Sequence, residues 1–485
     1  MNKKVNIGNI RTWSLQYPKA LITRKRSGVG LFFLGYALIA LTNCSPKTAQ
    51  TLLPVEVSEA FSDSGIEEAP ERWWTAFGDQ RLNTMVDTAL QSNFNLATAW
   101  QRLRAAQAVV DRESSSLFPD LEVMLQGEIS QPQRAFEDFQ QNRSFQIGLS
   151  SVYELDLWGR IRSSIQAERF RAHATQADYQ AAAISISAEI VRTWYQLIEA
   201  RNQLELVEDQ IETNQKVLNL IRNRFGGGQI RGVDILRQQQ LLESTREQKT
   251  YVESRIQVLK HQLAVLMGRV PQKQIDYPYR QLPDLPPLPA TGIPVQLIRR
   301  RPDVQSAFNL LQAADQDLAA AISNRYPRVS FSLSYSTAVN DTDKLFQDWA
   351  YSLAGNLLAP VFYGGELKAE VDRNEAVKQQ RLYEYGQTVL IAFQEVEDAL
   401  IQEKKQIESI QIIEEQVELA RQTYEQLQIE YFNGMSDYLD VLTALDQEQQ
   451  LRRDLLSANL ILLEYRIALY RALAGGFEMA RETRE

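Results

Sequence analysis

The stretch NLATAWQRLRAAQAVVDRESSSLFPDLEV, which begins at Asn95, returns in altered form as DVQSAFNLLQAADQDLAAAISNRYPRVSF from Asp303, with Phe118-Pro119 on Tyr326-Pro327. Further along, LDLWGRIRSSIQAE from Leu155 answers APVFYGGELKAEVDRNE, with Trp158-Gly159 on Tyr363-Gly364. FGGGQIRGVDIL from Phe225 then answers YFNGMSDYLDVL from Tyr431, glycine on glycine and aspartate on aspartate. The offset stays near 206 residues throughout. Self-similarity at one fixed offset means a supersecondary unit used twice. Any fold for this chain is therefore a tandem repeat, divided by YPYRQLPDLPPLP (Tyr277 to Pro289), whose prolines exclude a helix.

Each repeat reads as a helix, two strands, a very long helix, a tight break and another long helix. In the first long helix Ile190, Leu197, Leu204, Ile211, Leu218 and Phe225 recur at every seventh residue. The matching positions of the second repeat are Val396, Glu403, Ile410, Val417, Tyr424 and Tyr431, the same seam with one charged interruption. A strict seven-residue apolar period predicts coiled-coil packing against neighbouring helices. Unbroken helix from Arg160 to Phe225 would be roughly 100 Å long at about 1.5 Å per residue, far more than a compact domain needs.

The strands follow a different period. In the first, Leu121, Val123, Leu125 and Ile129 share one face against Glu122, Gln126, Glu128 and Ser130. In the second, Phe145, Ile147, Leu149, Tyr153, Leu155 and Leu157 oppose Gln146, Ser150, Glu154 and Asp156. The later repeat sets Val329, Phe331, Leu333 and Tyr335 against Ser330, Ser332, Ser334 and Ser336, then Trp349, Tyr351, Leu353 and Leu357 against Ser352, Ala354 and Asn356. Such alternation suits a transmembrane β-barrel wall and equally a sheet with one face on a soluble core. A membrane barrel needs at least eight strands and no open edge, so several copies would have to pool their hairpins: eight strands from a dimer, twelve from a trimer. An eight-stranded barrel is filled by its side chains, whereas twelve strands with small inward residues leave a passage.

The N-terminus carries its own instruction. Residues 1–26 hold lysines and arginines but no acid, and GVGLFFLGYALIAL follows as an apolar run too short to span a bilayer. Leu41-Thr42-Asn43-Cys44 resembles the lipobox of bacterial lipoproteins, although Asn43 departs from the small residue usual there. The resemblance implies that 1–43 is a lipoprotein signal peptide and that Cys44, the only cysteine, becomes the lipid-bearing first residue. Ser45 after it is compatible with sorting to the outer membrane. The expected divisions are then 44–72 as an N-terminal anchor segment, 73–270 as repeat 1 with its hairpin at about 119–157, and 271–293 as the linker. Repeat 2 follows at 294–475 with its hairpin at about 327–361, and 476–485 forms a tail. With no run of about eighteen apolar residues after Cys44, only strands are left to span a membrane. The net charge of -9 argues against nucleic acid as partner. One cysteine excludes disulfides and cysteine-based metal sites, and His173 and His261 fall within helical stretches as surface or packing residues rather than ligands or bases. No metal-ligand cluster, phosphate loop or nucleophile elbow is present, so neither an enzyme nor a cofactor is expected.

At this point the residues resemble the TolC-type outer-membrane factors, and within them the lipoprotein branch that serves RND (proton-driven) efflux pumps. The resemblance is carried by WWTAFGDQRLNTMVDTALQSNFNL from Trp73, YELDLWGRIRSS from Tyr153, RRPDV from Arg300, YPRVSFSLSYS from Tyr326, APVFYGG from Ala359 and GMSDYLDVLTAL from Gly434. Singly these are weak, but in this order and in a duplicated frame they are specific. The resemblance implies an α+β membrane protein: a homotrimer whose twelve-stranded barrel in the outer membrane of a Gram-negative bacterium continues into a twelve-helix α-barrel in the periplasm. It implies a passive duct for drugs, toxic compounds or metal ions, joined through a periplasmic adaptor to an inner-membrane pump. A type I protein secretion duct shares the fold with another client, and a lipid-anchored coiled-coil scaffold would explain Cys44 and the heptads but not the strands.

The two tight breaks carry the expected function. Gly228 and Gly434 can take positive φ and so end a helix, and Asp234 and Asp440 follow where a carboxylate offsets the dipole of a returning helix. Beside that capping role, the resemblance implies a periplasmic gate: Asp440 rings a closed aperture, Leu439 narrows it, and a bond between Asp234 and Tyr431 holds the coils inward. A carboxylate ring at close quarters selects cations. Two positions depart from the family: a second gate aspartate would fall on Thr443 and a locking arginine on Ser436, which implies one acidic ring and a looser latch. The turns Gly228, Gln229, Ile230, Arg231 and Gly434, Met435, Ser436, Asp437 match where adaptor hairpins dock in the family.

Overall fold

The computed structural model describes residue 55 and residues 58–130, 142–271 and 282–479. The expected signal peptide 1–43, the lipidation site Cys44, the first part of the proline-rich linker and the end of the tail lie outside the described residues.

A 3-10 turn over Trp73–Phe77 leads into α1 (Gln80–Ser92) and α2 (Phe94–Ser114), then strands β1 (Glu122–Ser130) and β2 (Asn142–Leu155), and the long helices α3 (Arg160–Gly226) and α4 (Gly232–Leu266). The order then repeats as α5 (Pro294–Arg300), α6 (Pro302–Ser323), β3 (Arg328–Val339), β4 (Ala350–Leu358), α7 (Glu366–Phe432) and α8 (Tyr438–Leu473). Each repeat opens with two helices where the sequence suggests one. Asn93 breaks the first by capping α2 through the Leu96 amide, and Pro302 breaks the second by fixing its own φ at the start of α6. Helices α3 and α7 are both 67 residues long, about 100 Å at the α-helical rise.

The core lies where these long helices meet the short ones. Trp73, Trp74, Phe77, Leu82, Tyr195, Trp194 and Tyr470 form one buried cluster, in which Trp73 stacks on Tyr470 at 6.0 Å between ring centroids. The Trp194 indole donates to Asp79, the residue that caps α1, at 3.0 Å. The heptad seam runs through this core: Ile190, Leu197, Leu204 and Leu218 are buried, and only Phe225 at the far end is exposed. In the second repeat the charged interruption Glu403 is buried against Arg466 of α8, whose Nε and Nη2 donate to it at 2.7 and 2.5 Å, while Nη1 donates to the Pro286 carbonyl of the linker.

All four strands join in one antiparallel sheet, order β1-β2-β3-β4. Its register aligns the apolar positions across every pair: Val123 on Leu149, Leu149 on Tyr335, Tyr335 on Tyr351, and Leu333 on Leu353. The polar face aligns as well, with Glu122, Ser150, Ser334 and Ser352 in one row. Among the described residues no helix covers the apolar face, and Leu125, Leu353 and Leu357 are more than 70% exposed there. Among the described residues both edges, β1 and β4, are open. Among the described residues no helix is long and apolar enough to cross a membrane.

Candidate functional site: the turns at the far end of the long helices

The two breaks fold the same way. At the first, Gly228 has φ 69°, its amide donates to Phe225 O at 2.9 Å, and the Gln229 amide reaches Arg224 O at 3.1 Å. At the second, Gly434 has φ 75°, its amide donates to Tyr431 O at 3.1 Å, and the Met435 amide reaches Glu430 O at 2.8 Å. This paired bonding around a left-handed residue satisfies carbonyls that a helix end leaves open. A Cβ would meet nothing within 4 Å at either glycine, so the backbone angle rather than space demands glycine there. Ile230 and Arg231 complete the first turn, and Ser436 and Asp437 the second, before α4 and α8 begin.

Asp234 and Asp440 occupy the third position of their helices, and each amide donates to the residue three before it. Their surroundings then diverge. Asp234 is only 3% exposed, with Arg231 Nε at 3.4 Å from Oδ2 and Arg237 Nη1 at 3.7 Å from Oδ1. Asp440 is exposed, as is Leu439 at 41%. The expected bond between Asp234 and Tyr431 is not made: Asp234 Oδ1 and the Tyr431 hydroxyl are both buried without a hydrogen-bond partner among the described residues. Arg231 at the N-cap of α4 and Arg237 one turn into it hold the carboxylate, while the Tyr431 ring packs edge-on against Tyr438 at 5.5 Å with Arg224 5.1 Å from its centroid.

Tyr438 is the residue that sequence reasoning passed over. It is the first of α8, and its hydroxyl donates to Gln238 Oε1 on α4 at 2.6 Å. Burial, with Tyr424, Tyr431 and Asp234 nearby, pushes its phenol well above the ordinary range, so it remains a donor at every physiological pH. Gln238 in turn donates to Asn214 O at 3.1 Å, and Asn214 exchanges bonds with Gln449 of α8 at 3.1 Å each way. The signal was available in the sequence. Gln203, Val207, Gln210, Asn214, Val217 and Ile221 follow one another at spacings of four and three, a second seam whose polar members have to be paired if buried. Ser436 Oγ approaches Leu427 O at 3.4 Å, and the Thr443 hydroxyl donates to Leu439 O at 2.8 Å. His173 and His261 are exposed on α3 and α4, and no group of three His, Cys, Asp or Glu among the described residues could hold a metal.

Comparison with known proteins bears on this architecture. The family profile described as outer membrane efflux protein matches the chain over residues 85–269 and again over 293–475. The pyoverdine export outer membrane protein OpmQ of Pseudomonas putida is 26% identical over 460 residues, 93% of this chain and 98% of that protein. The cation efflux system protein CusC of Escherichia coli K12 is 26% identical over 451 residues, 90% of this chain and 97% of that one. Among solved structures, the outer-membrane channel OprN superposes with a TM-score of 0.83 at 27% identity, covering 89% of this chain and 99% of that chain. With the family profile accounting for most of its length, once in each repeat, the chain belongs to the outer membrane efflux protein family.

Proposed function

We propose that this chain is the outer-membrane duct of a tripartite efflux assembly. Three copies pool four strands each into a twelve-stranded transmembrane barrel that continues into a twelve-helix tube in the periplasm. Drugs, toxic compounds or metal ions pass through it passively from an inner-membrane RND pump and a periplasmic adaptor. No catalytic residue and no cofactor belongs to this reading. The observation that carries it is the sheet, with a continuous apolar face that no described residue of the chain covers and two edges left open among the described residues. Such edges cannot face lipid unpaired, so only closure with further copies suits a membrane. Aromatic pairs stack at two levels of the sheet, Trp158 on Tyr326 at 5.0 Å and Trp349 on Tyr335 at 4.7 Å.

In the mature protein 1–43 is removed and Cys44 carries the acyl chains that hold segment 44–72 to outer-membrane lipid. Repeats 73–270 and 294–475, joined by linker 271–293, each supply one hairpin to the barrel and one to the tube. At the periplasmic end Leu439 and Asp440, exposed within the chain, form the narrowing ring; Asp234 and Tyr431 back it from the buried side. The turns Gly228 to Arg231 and Gly434 to Asp437 receive the adaptor. OpmQ exports pyoverdine and CusC cations, and by that likeness the client here is a small compound or ion rather than a secreted protein. Single-channel recording of the purified protein in planar bilayers tests this. A small cation-selective conductance is expected, with Asp440→Ala raising it or removing its selectivity; a folded trimer that conducts nothing would sink the duct.

A further inference from the structure

Past Ile410, α7 has no fully buried residue, whereas α3 still buries Gln210, Asn214, Leu218 and Ile221 over the corresponding stretch. The second turn therefore ends a helix held there by half-buried side chains alone, Tyr424, Leu427 and Tyr431 against Ile221, Tyr438 and Val441, and it precedes the two exposed residues Leu439 and Asp440. Contacts from the first repeat grip it on both flanks. On one side the Arg224 guanidinium lies 5.1 Å from the ring centroid of Tyr431 and 4.7 Å from that of Phe432, the last two residues of α7. On the other, Tyr438 donates at 2.6 Å to Gln238, which is fully buried and fixed by its own bond to Asn214 O.

We infer that Arg224 and Gln238 are positioning residues of the duct: they clasp the second turn between them and fix Leu439 and Asp440 at the aperture. The clasp runs one way. The positions that would return it from the second repeat to the first are Glu430 for Arg224 and Ala444 for Gln238, and the first turn offers Phe225, Gly226 and Gly232 where the second offers Tyr431, Phe432 and Tyr438. Phe225 keeps a ring, but Glu430 is no cation to meet it, and neither Ala444 nor Gly232 has a side-chain hydrogen-bonding group, so the duplicated frame alone does not supply the contact. Every member is supplied by one chain, so each copy sets its own aperture residues. The clasp also works without the bond between Asp234 and Tyr431, which is absent here.

The inference rests on the reading of Leu439 and Asp440 as the narrowing ring, and the test separates the two. Full-length protein would be recorded in planar bilayers as wild type, Tyr438→Phe, Arg224→Ala, Arg224→Lys and Asp440→Ala, with trimer melting followed by gel migration on heating. Tyr438→Phe removes only the hydroxyl and leaves a buried Gln238 oxygen unpaired, so the open fraction should rise about tenfold with melting unchanged. Arg224→Ala should do the same, and Arg224→Lys, which keeps a cation over the rings, should stay close to wild type. If Asp440→Ala alters selectivity while Tyr438→Phe and Arg224→Ala leave the open fraction as it was, the clasp is wrong and the ring stands. A silent Asp440→Ala removes the ring and the clasp with it. Loss of the trimer in Tyr438→Phe would make the contact a matter of folding alone and likewise overturn the proposal.

Discussion

Glu403 interrupts an apolar seam, and the residue is 6% exposed with Arg466 of α8 at 2% beside it. Both charges are out of water, which costs several kcal/mol per ion unless geometry and further hydrogen bonds repay it. The fork of Arg466 spends two donors on Glu403 and a third on Pro286 O, so the pair ties α7, α8 and the linker at one level. Glu403→Leu should destabilise the chain by about 3–5 kcal/mol, because it strands a buried guanidinium, and adding Arg466→Leu should recover most of that loss. Urea unfolding of the two variants checks it; a double variant no better than the single would mean that the bond to Pro286 O matters more than the charge balance. The same scale explains why two aligned aspartates differ. Asp234 has arginines three residues before and after it on one helix face, whereas Asp440 has Asp437 and Thr443 there.

At the scale of elements, the strands' period of two decides more than their composition. Because the register sets apolar on apolar through all four strands, one face is greasy and the other carries serine, glutamine and glutamate. A charge should therefore matter by face and not by depth alone. Leu353→Arg on the uncovered face should cost about 2–4 kcal/mol of folding into a bilayer, and Ser334→Lys on the opposite face should leave folding nearly unchanged while altering ion selectivity. Folding into lipid vesicles followed by gel migration checks the pair, and equal costs for the two would return the sheet to a soluble role. The long helices were legible for the same reason as the strands: seven-residue apolar recurrence is set by local geometry. The break at Asn93 and the one at Pro302 were not, since a cap and a single proline weigh little against a continuing apolar pattern.

At the scale of the whole molecule, two repeats of one plan meet where α3 packs on α6 and α8 and where β2 pairs with β3, and they do unequal work. The first buries its turn-bearing helices almost to the end, and the second leaves α7 to find partners elsewhere. The proposed anchor at Cys44 belongs to this scale too. Cys44→Ser should abolish labelling of the protein by palmitate in cells while the purified trimer keeps its conductance, because in the proposed duct the sheet rather than the acyl chain spans the bilayer. Labelling that survives the change would end the lipoprotein reading, and conductance that vanishes from a folded trimer would assign the anchor a part in the channel.

The sequence by itself determined the duplication, the lengths of the long helices, both faces of the strands and the glycines at the two turns, because each follows from periodicity or from a backbone angle that few residues adopt. Tertiary structure alone decided that the hairpins of both repeats join in one sheet with open edges, that Arg466 answers Glu403, and that Tyr438 reaches Gln238 where a bond from Tyr431 to Asp234 was expected. Those are contacts between residues far apart along the chain, and no local rule chooses a partner among several donors of equal reach. Packing chooses it, through which groups are left beside one another once water is gone.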